Sequence, residues 1–222
     1  MKNKYIKNSR ISEKVFRKVV RMYCYDQNAT MTARLTGLSR NTVNRLFKLF
    51  RLRILEISNA ETRLSGEVEI DESYFGPRRV RGKRGRGAGK KIPVLGLLKR
   101  NGKVKVEIVD TARMNELLPI IKGEVTPESI VYTDGFTSYD SLVAYGYKHR
   151  RVNHSKNEFA RGRSHINGVE SFWSYAKRRM SKMNGIKRSE FELHIKESAF
   201  RWNYRDKKMY NYLLKNFRSN PL

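Results

Sequence analysis

The sequence contains a single cysteine, Cys24, among 222 residues. One thiol cannot form an internal disulfide or build a cysteine-based zinc site, and it is typical of a buried core residue in a reducing compartment. Long apolar runs are also absent, since none approaches the roughly 20 residues that a membrane-spanning helix needs. The N-terminal segment is polar and basic, without the apolar stretch of a signal peptide. We therefore expect a cytoplasmic protein with no membrane partner.

Acidic residues are scarce relative to basic ones. The chain has 21 Asp and Glu against 48 Lys and Arg, which gives a formal net charge of +27. So much positive charge repels itself unless a polyanion neutralises it, and nucleic acid is the first candidate, ahead of a membrane surface. Hydrophobic residues make up 39% of the chain, which is enough for a packed core and too much for global disorder. The composition favours a folded protein that binds nucleic acid.

Short β-branched runs alternate with helical segments after residue 66. Runs bounded by Gly, Pro, Asn or Asp predict strands at 68–70, 93–98, 104–109 and 129–133. The dipeptide Asn101-Gly102, between the second and third runs, is a strong hairpin signal. Further segments predict helices at 114–125, 137–145, 166–182 and 189–217, and a short strand at 148–153. This mixture predicts an α/β sheet that begins with an antiparallel meander.

Residues 12–51 are helical in pattern with one marked break, at Gly37. Glycine adopts a left-handed turn without strain, and Ser39 is a suitable N-cap for the helix that follows. One face of that helix carries the apolar residues Val43, Leu46 and Phe47. The spacing resembles that of helix-turn-helix motifs. Residues 1–60 also hold 14 Lys or Arg against three acids, which favours a DNA-binding head.

The N-terminal end of the second helix carries the candidate DNA-reading residues. They are polar and lie off its apolar face: Arg40, Asn41, Thr42, Asn44 and Arg45. This end of a recognition helix contacts base edges, and Arg and Asn pair bidentately with guanine and adenine. An ordinary three-helix bundle with a basic, solvated face is the alternative.

Three acids stand at special positions in the predicted elements. Asp71 ends the first strand, Asp134 ends the fourth, and Glu170 lies one turn inside a helix, with 35 residues between the last two. Hard divalent cations such as Mg²⁺ prefer carboxylate oxygens. Two such ions about 3.5–4 Å apart activate a nucleophile and stabilise the leaving oxygen in phosphoryl transfer. Each acid alone is a weak signal, but together, on a basic chain, they predict a metal-dependent site.

The helix over 166–182 carries two neighbouring stripes. Its apolar stripe comprises Ile166, Val169, Trp173, Ala176 and Met180. The adjacent polar stripe comprises Asn167, Glu170, Ser174 and Lys177. Glu170 is therefore predicted at the edge of the core. Lys177, with Arg178 next to it, is placed to hold a DNA phosphate beside the metal ions.

Other acids compete with these three, namely Glu69, Glu72, Asp110 and Asp140. Glu69 shares a strand face with Asp71 by the period-two rule, and Glu72 is adjacent to it. We interpret all four as structural or supporting residues.

Basic segments flank all three acids. Residues 78–91 contain eight Lys or Arg, four Gly and no acid. We expect a loop that becomes ordered on DNA, although a solvated, flexible loop is the alternative. Its candidate phosphate contacts are Arg81, Lys83, Arg84 and Arg86.

Three sequence blocks carry a specific resemblance. They read EIDESYFG at 69–76, YTDGFTSY at 132–139 and HINGVESFWSYAKRRM at 165–180. They resemble the signature blocks of the DDE transposases of small bacterial insertion sequences, specifically the ISXO-like transposase domain, over about 67–205. Many relatives carry an N-terminal cysteine zinc ribbon, which this chain lacks, so it resembles a shorter variant that relies on the helix-turn-helix.

The resemblance implies a fold and a set of site residues. The fold is α/β, with an RNase H-like catalytic domain, a mixed sheet flanked by helices, preceded by a small all-α helix-turn-helix domain. We predict the helix-turn-helix domain with a basic, mobile N-terminal arm over 1–55, a linker over 56–66 and the catalytic domain over 67–222. The implied metal-binding catalytic triad is Asp71, Asp134 and Glu170. Lys177 is the implied basic catalytic residue, and His165 and Asn167 are expected to touch DNA or orient Glu170.

The implied activity is that of a transposase, which binds insertion-sequence ends and catalyses metal-dependent DNA cleavage and strand transfer. Two Mg²⁺ ions are the expected cofactors, with Mn²⁺ as a substitute. The expected partners are double-stranded DNA, both transposon ends and target, and a second copy of the chain as a homodimer, with no small-molecule substrate. We expect the protein to associate with the bacterial nucleoid. Two alternatives stay open: a non-catalytic helix-turn-helix regulator, and an RNase H-like nuclease without strand transfer.

Overall fold

Helices from the two ends of the chain form one unit of the structure, and the residues between them form another. A computed structural model describes residues 3–76, 91–134, 137–152, 166–183, 185–205 and 208–222. The first unit comprises Met1–Asn59 and Tyr204–Leu222, and the second comprises Ala60–Asn203. These bounds differ from the domain bounds proposed from the sequence, and the functional assignment of the domains stays a prediction.

The first unit is helical. It contains α1 (Glu13–Cys24), α2 (Ala29–Thr36), α3 (Arg40–Asn59) and α7 (Met209–Ser219). The side chain of Asn28 caps α2 by accepting a hydrogen bond from the backbone N–H of Met31 at 2.8 Å. Gly37, with φ at 72°, ends α2 in the left-handed conformation that the sequence predicts. A short turn then leads directly into α3.

An aromatic core joins the two ends of the chain within this unit. Phe217 of α7 stacks on Phe50 of α3 at 5.0 Å and meets Phe16 of α1 edge-on at 6.0 Å between ring centroids. The backbone N–H of Leu222 donates to the carbonyl oxygen of Tyr5 at 3.0 Å. Tyr5 is itself buried and stacks on Phe16. The C-terminal helix therefore completes the core of the N-terminal helices, and the segment expected to be a mobile arm packs on that core over its described residues.

The prediction of one continuous helix over 189–217 is wrong. The structure has α6 (Phe191–Asn203) in the second unit and α7 in the first. The apolar face of α7, with Leu213 and Phe217 buried, packs among the aromatic rings of α1 and α3. The helical pattern continues on both sides of the break, but the two halves are buried in different cores.

The described residues of the second unit form a five-stranded mixed sheet in the order β3-β2-β1-β4-β5. The strands are β1 (Glu67–Phe75), β2 (Ile92–Lys99), β3 (Val104–Ile108), β4 (Ile130–Thr133) and β5 (Lys148–Arg151). The first three form an antiparallel meander, and β4 and β5 run parallel to β1. Asn101, with φ at 55°, turns the predicted hairpin between β2 and β3. The α/β class is confirmed, and this strand order is the RNase H-like arrangement that the resemblance implies.

Helices cover both faces of the sheet. One face, with Val94 and Val106, packs against α5 (Asn167–Ser181) and α6. The other face, with Val68 and Ile70, packs against α4 (Met114–Glu124) and the 3₁₀ helix Thr137–Tyr145. Because side chains alternate along a strand, β1 sends Glu69 and Asp71 toward the α5 face and Glu72 toward the opposite face.

The structure also bears on the burial of Cys24 and on the presence of a membrane-spanning helix. Cys24, predicted to be buried, is half-exposed at the end of α1. Within the described ranges, no helix is long and apolar enough to cross a membrane.

Candidate active site

Two neighbouring parallel strands, β1 and β4, bring Asp71 and Asp134 together. Asp134 directly follows β4 as predicted, but Asp71 lies in the middle of β1 and does not end it, because the polar residues after it continue the strand. In the register of β1 and β4, Glu69 lies beside Tyr132. Two residues further along both strands, the same register places Asp71 next to Asp134, and both are half-buried. The hydroxyl of Thr133 donates to the carbonyl oxygen of Asp134 at 2.9 Å, which supports the backbone where β4 ends.

Glu170 approaches the same place from α5. It is exposed in the first turn of the helix, which packs on the sheet face toward which Asp71 points. Burial is the main cause that raises the pKa of Asp71 to about 6, and the negative charges of Asp134 and then Glu170 raise it further. The three acids predicted from the sequence therefore lie close enough to interact electrostatically.

The chemistry of these side chains fits hard divalent cations. Among the residues that the structure describes, no group of three or more His, Cys, Asp or Glu side chains is arranged to hold a metal ion. The acids that converge are nevertheless all carboxylates, which Mg²⁺ and Mn²⁺ prefer, and a cation would relieve their mutual repulsion. Asp71, Asp134 and Glu170 are the residues that would hold such ions.

A fourth acid, Glu72, lies beside the cluster on the other face of β1. The hydroxyl of Tyr139, which is fully buried, donates a hydrogen bond to Oε1 of Glu72. Burial raises the pKa of Glu72 to about 7, with further contributions from the charges of Asp71 and Asp134. Its adjacency to Asp71 was the only sequence signal for this position, and adjacency alone does not reveal burial or the tyrosine partner.

Glu69 connects the strand of Asp71 to the helix of Glu170. Glu69 is 1% exposed, and its Oε2 accepts a hydrogen bond from the backbone N–H of Val169 at 2.9 Å. A Cβ at Gly168 would lie 2.8 Å from the same oxygen, so glycine is needed for this close approach. The N-cap residue of α5 has no side-chain hydrogen bond of its own. Glu69 therefore caps α5 from β1 and fixes the backbone next to Glu170.

Arg100 pairs with the other carboxylate oxygen of Glu69. Its Nε donates to Oε1 of Glu69 at 3.1 Å, and its Nη1 donates to Glu67 at 2.9 Å. The guanidinium stacks over the ring of Tyr132 at 3.6 Å. The buried charge of Glu69 is thus paired and hydrogen-bonded, as a buried carboxylate must be.

The basic residues predicted on α5 lie on its exposed side. Lys177 and Arg178 are both exposed, as is Asn167 at the start of the helix. The Nζ of Lys177 lies 5.9 Å from the ring centroid of Phe75, the last residue of β1. Lys177 therefore sits beside the end of the strand that carries Asp71.

Sequence reasoning missed the buried ion network between α5 and α6. Nη2 of Arg179 lies 2.7 Å from Oε1 of Glu197, and Nε of Arg201 lies 2.8 Å from the same oxygen. All three residues are buried. The burial of Arg179 could have been predicted from its position, because it follows Ala176 by three residues and so lies on the same inward face of α5. The network holds the helix of Glu170 against α6.

The predicted recognition residues lie at the start of α3, within the first unit. Arg40, Asn41, Asn44 and Arg45 are exposed, Thr42 is half-buried, and the apolar face of the helix is buried. The side chain of Ser39 accepts a hydrogen bond from the backbone N–H of Thr42 at 3.1 Å, in the capping role that the sequence predicts.

Several predicted site residues fall outside the described residues. These are Arg81, Lys83, Arg84, Arg86 and His165, as well as the side chain of Asp140. Asp110 is exposed after β3, and its backbone N–H donates to Oε1 of Glu116 at 2.5 Å.

The acid cluster should make the metal-free protein less stable as pH rises. The pKa of Asp71, about 6, and that of Glu72, about 7, lie above the ordinary carboxyl values. Their protonated forms favour folding below about pH 4, and this stabilisation is lost as pH rises through 6 and 7. For Asp71 alone the change is on the order of 3 kcal/mol. We expect thermal melts in EDTA to show that the melting temperature falls less between pH 4 and 8 for Asp71→Asn than for the unmodified chain.

The exposed acid Asp110 offers a control for this pH dependence. Asp110→Asn should keep the original profile of melting temperature against pH. A profile of Asp71→Asn parallel to that of the unmodified chain would contradict the pKa assignment.

Comparison with known proteins agrees with the geometry. The family model of the ISXO2-like transposase domain matches residues 63–203, nearly the whole of the second unit. An uncharacterized transposase-like protein of Haemophilus influenzae is 46% identical over 101 residues, which are 46% of this chain and 81% of that protein. An uncharacterized protein in the transposable element ISH50 of Halobacterium salinarum is 32% identical over 180 residues, which are 74% of this chain and 60% of that protein.

Among solved structures, the Mos1 strand transfer complex is similar with 13% identity and a TM-score of 0.41, over 96% of this chain and 78% of that chain. The family match covers more than half of this chain. The chain therefore belongs to the family of ISXO2-like transposase domains.

Proposed function

We propose that this chain is an active transposase, which binds the ends of an insertion sequence and catalyses metal-dependent DNA cleavage and strand transfer. The observation that carries the proposal is the approach of Asp134, after β4, and Glu170, on α5, to within electrostatic reach of Asp71 on β1. Membership in a transposase family supports it. The net charge of +27 supports a polyanionic substrate.

The proposed reaction has two steps on DNA. Water attacks the phosphate at the transposon end, and the P–O bond to the transposon strand breaks to release a 3′-hydroxyl. That hydroxyl attacks a phosphate of the target, forms a new P–O bond and displaces the target's own 3′ oxygen. Two Mg²⁺ ions, or Mn²⁺ in their place, would supply activation of the attacking oxygen and stabilisation of the leaving one.

The chain's own residues hold and orient the reacting groups. Asp71, Asp134 and Glu170 bind the metal ions. Lys177, exposed beside the end of β1, binds the scissile or an adjacent phosphate, with Arg178 and Asn167 as further DNA contacts. Because each end of the element needs a site, we propose a homodimer on DNA.

The most direct test uses the full chain, Mg²⁺ and a duplex that contains the element's terminal sequence. We expect nicked or cut ends and, with target DNA present, joined products. Specific binding without any cutting would favour the regulator. Cutting without joining would favour a nuclease of the same fold.

We further propose that the start of α3 reads the terminal sequence. Arg45→Ala should weaken binding to terminal DNA by ~1–3 kcal/mol if Arg45 pairs with a base edge. Competition titrations against random DNA of equal length measure the loss of preference. Arg218→Ala, which removes an exposed arginine on α7 of the same unit, is the matched control. An equal loss on both DNAs would make Arg45 a phosphate contact, and no loss would remove it from the interface.

A further inference from the structure

The indole of Trp173 occupies the space beside Asp71. In the register of β1 and β2, Asp71 is paired with Gly96, and cross-strand partners project from the same face of a sheet. A Cβ at Gly96 would lie 2.4 Å from Cζ2 of Trp173 and 3.2 Å from Cε2. The glycine therefore leaves a gap in β2, and the indole ring fills it on the face toward which Asp71 points.

The polar atom of this ring is buried and unsatisfied. Trp173 is 4% exposed and packs against Phe172 and Phe75, with ring centroids 4.9 and 5.9 Å away. Its Nε1 has no hydrogen-bond partner among the described residues. A buried donor without an acceptor costs about 1–3 kcal/mol, which a phenylalanine in the same core would avoid. Packing alone therefore does not explain an indole here.

Cε2, the ring carbon that carries the N–H group, is among the three ring atoms nearest to the space over Gly96, the cross-strand partner of Asp71. The geometry does not complete a hydrogen bond, because Nε1 remains without a partner at hydrogen-bond distance. The donor therefore lies on the face of the sheet from which Asp71 projects, without a partner of its own.

We propose that Trp173 is a positioning residue for the metal-binding carboxylate of Asp71. Its N–H completes a hydrogen bond to one carboxylate oxygen when a divalent cation binds the other, which fixes the rotation of the side chain. Partners of this kind, behind the ligands themselves, typically change metal affinity by about 10- to 100-fold. The inference rests on the proposed function, since it takes Asp71 as a metal ligand.

The test replaces the N–H group without changing the shape of the ring. In a Trp202→Phe background, residue 173 is the only tryptophan, so benzothienylalanine, which has sulfur in place of N–H, can be introduced there alone. The variants are compared with Trp202→Phe as their parent. This change alters the ring at position 202, which packs on Phe172 in the same core. Trp173→Phe is a second variant that also lacks the donor.

Two quantities are measured without DNA: the affinity for Mn²⁺ by calorimetry, and the melting temperature in EDTA. We expect benzothienylalanine to weaken Mn²⁺ binding about 10-fold or more and to raise the metal-free melting temperature, because it removes the cost of a buried donor that has no acceptor before metal binds. A purely structural role would instead lower the melting temperature and spare the affinity of the folded protein.

If the benzothienylalanine variant binds Mn²⁺ as tightly as its parent while Asp71→Asn binds it more weakly, the role of Trp173 is overturned and the metal site stands. If the parent does not bind Mn²⁺, or if Asp71→Asn binds it equally well, both the metal site and the role of Trp173 are overturned. The two failures are therefore distinguishable.

Discussion

Changing Asp71 or Asp134 to Asn, or Glu170 to Gln, should reduce Mg²⁺-dependent cleavage by about a thousand-fold or more while DNA binding survives. Each change removes a ligand charge and keeps the shape of the side chain. A metal ion contributes several kcal/mol of transition-state stabilisation, and about 4 kcal/mol corresponds to a thousand-fold in rate. Binding survives because it depends on basic residues outside the cluster. Single-turnover cleavage and a gel-shift titration measure the two effects.

The control for these variants is Asp110→Asn, since Asp110 is an exposed acid in the same unit. It should cleave like the unmodified chain. Lys177→Ala should lower activity less than the acid changes, because a phosphate contact leaves the metal ions in place. Turnover near that of the unmodified chain in any acid variant would remove that residue from the site. Full activity in EDTA would end the metal mechanism altogether.

The three acids could be singled out from the sequence because each follows an apolar β-branched run or lies in the first turn of a helix. Position along an element is a local property, and it is sufficient to place Asp71 and Asp134 on strands, although Asp71 lies inside β1 and only Asp134 follows the end of its strand. The groups that support them could not be found in this way. Val169, the partner of Glu69, is 100 residues away in the chain, and only the packing of α5 on β1 brings the two together.

One supporting position did carry a readable signal. Gly96 interrupts an otherwise apolar strand, and an isolated glycine in a strand often marks the close approach of another group. That rule predicts that something lies over β2 at this point, but not which residue. The identity of Trp173 follows only from the register of β1 with β2 and from the packing of α5.

The positions of the strands in the chain were predicted better than their lengths. The β-branched runs and the Asn101-Gly102 turn located the meander, because hydrophobic pattern and turn chemistry are local. The first strand was predicted over 68–70, whereas β1 extends over Glu67–Phe75. Its second half carries polar residues with tertiary partners, such as Glu72 with Tyr139, and so it lacks the apolar pattern of a strand.

The C-terminal helix shows a further limit. Helical periodicity in α7 identifies its apolar face but not the core in which that face is buried. The pattern is equally compatible with packing in the catalytic domain, to which the sequence prediction assigned residues 67–222. The choice is made by aromatic contacts with residues about 170 to 200 positions earlier in the chain, among them Phe16 and Phe50.

Phe217→Ala should therefore unfold the N-terminal helices and abolish specific DNA binding, although the change lies near the other end of the chain. The ring is fully buried against Phe16 and Phe50, and truncating a buried phenylalanine costs about 3–5 kcal/mol, a large part of the stability of a small unit. Hydrogen exchange should show lost protection in α1 and α3 and retained protection in β1 and β2, since residues 60–203 form a unit of their own. The exposed Lys215 on the same helix provides the control, and Lys215→Ala should exchange and bind like the unmodified chain. Retained protection of α1 and α3 in Phe217→Ala would show that the N-terminal helices fold without α7, and lost protection throughout the chain would show that the two units do not fold independently.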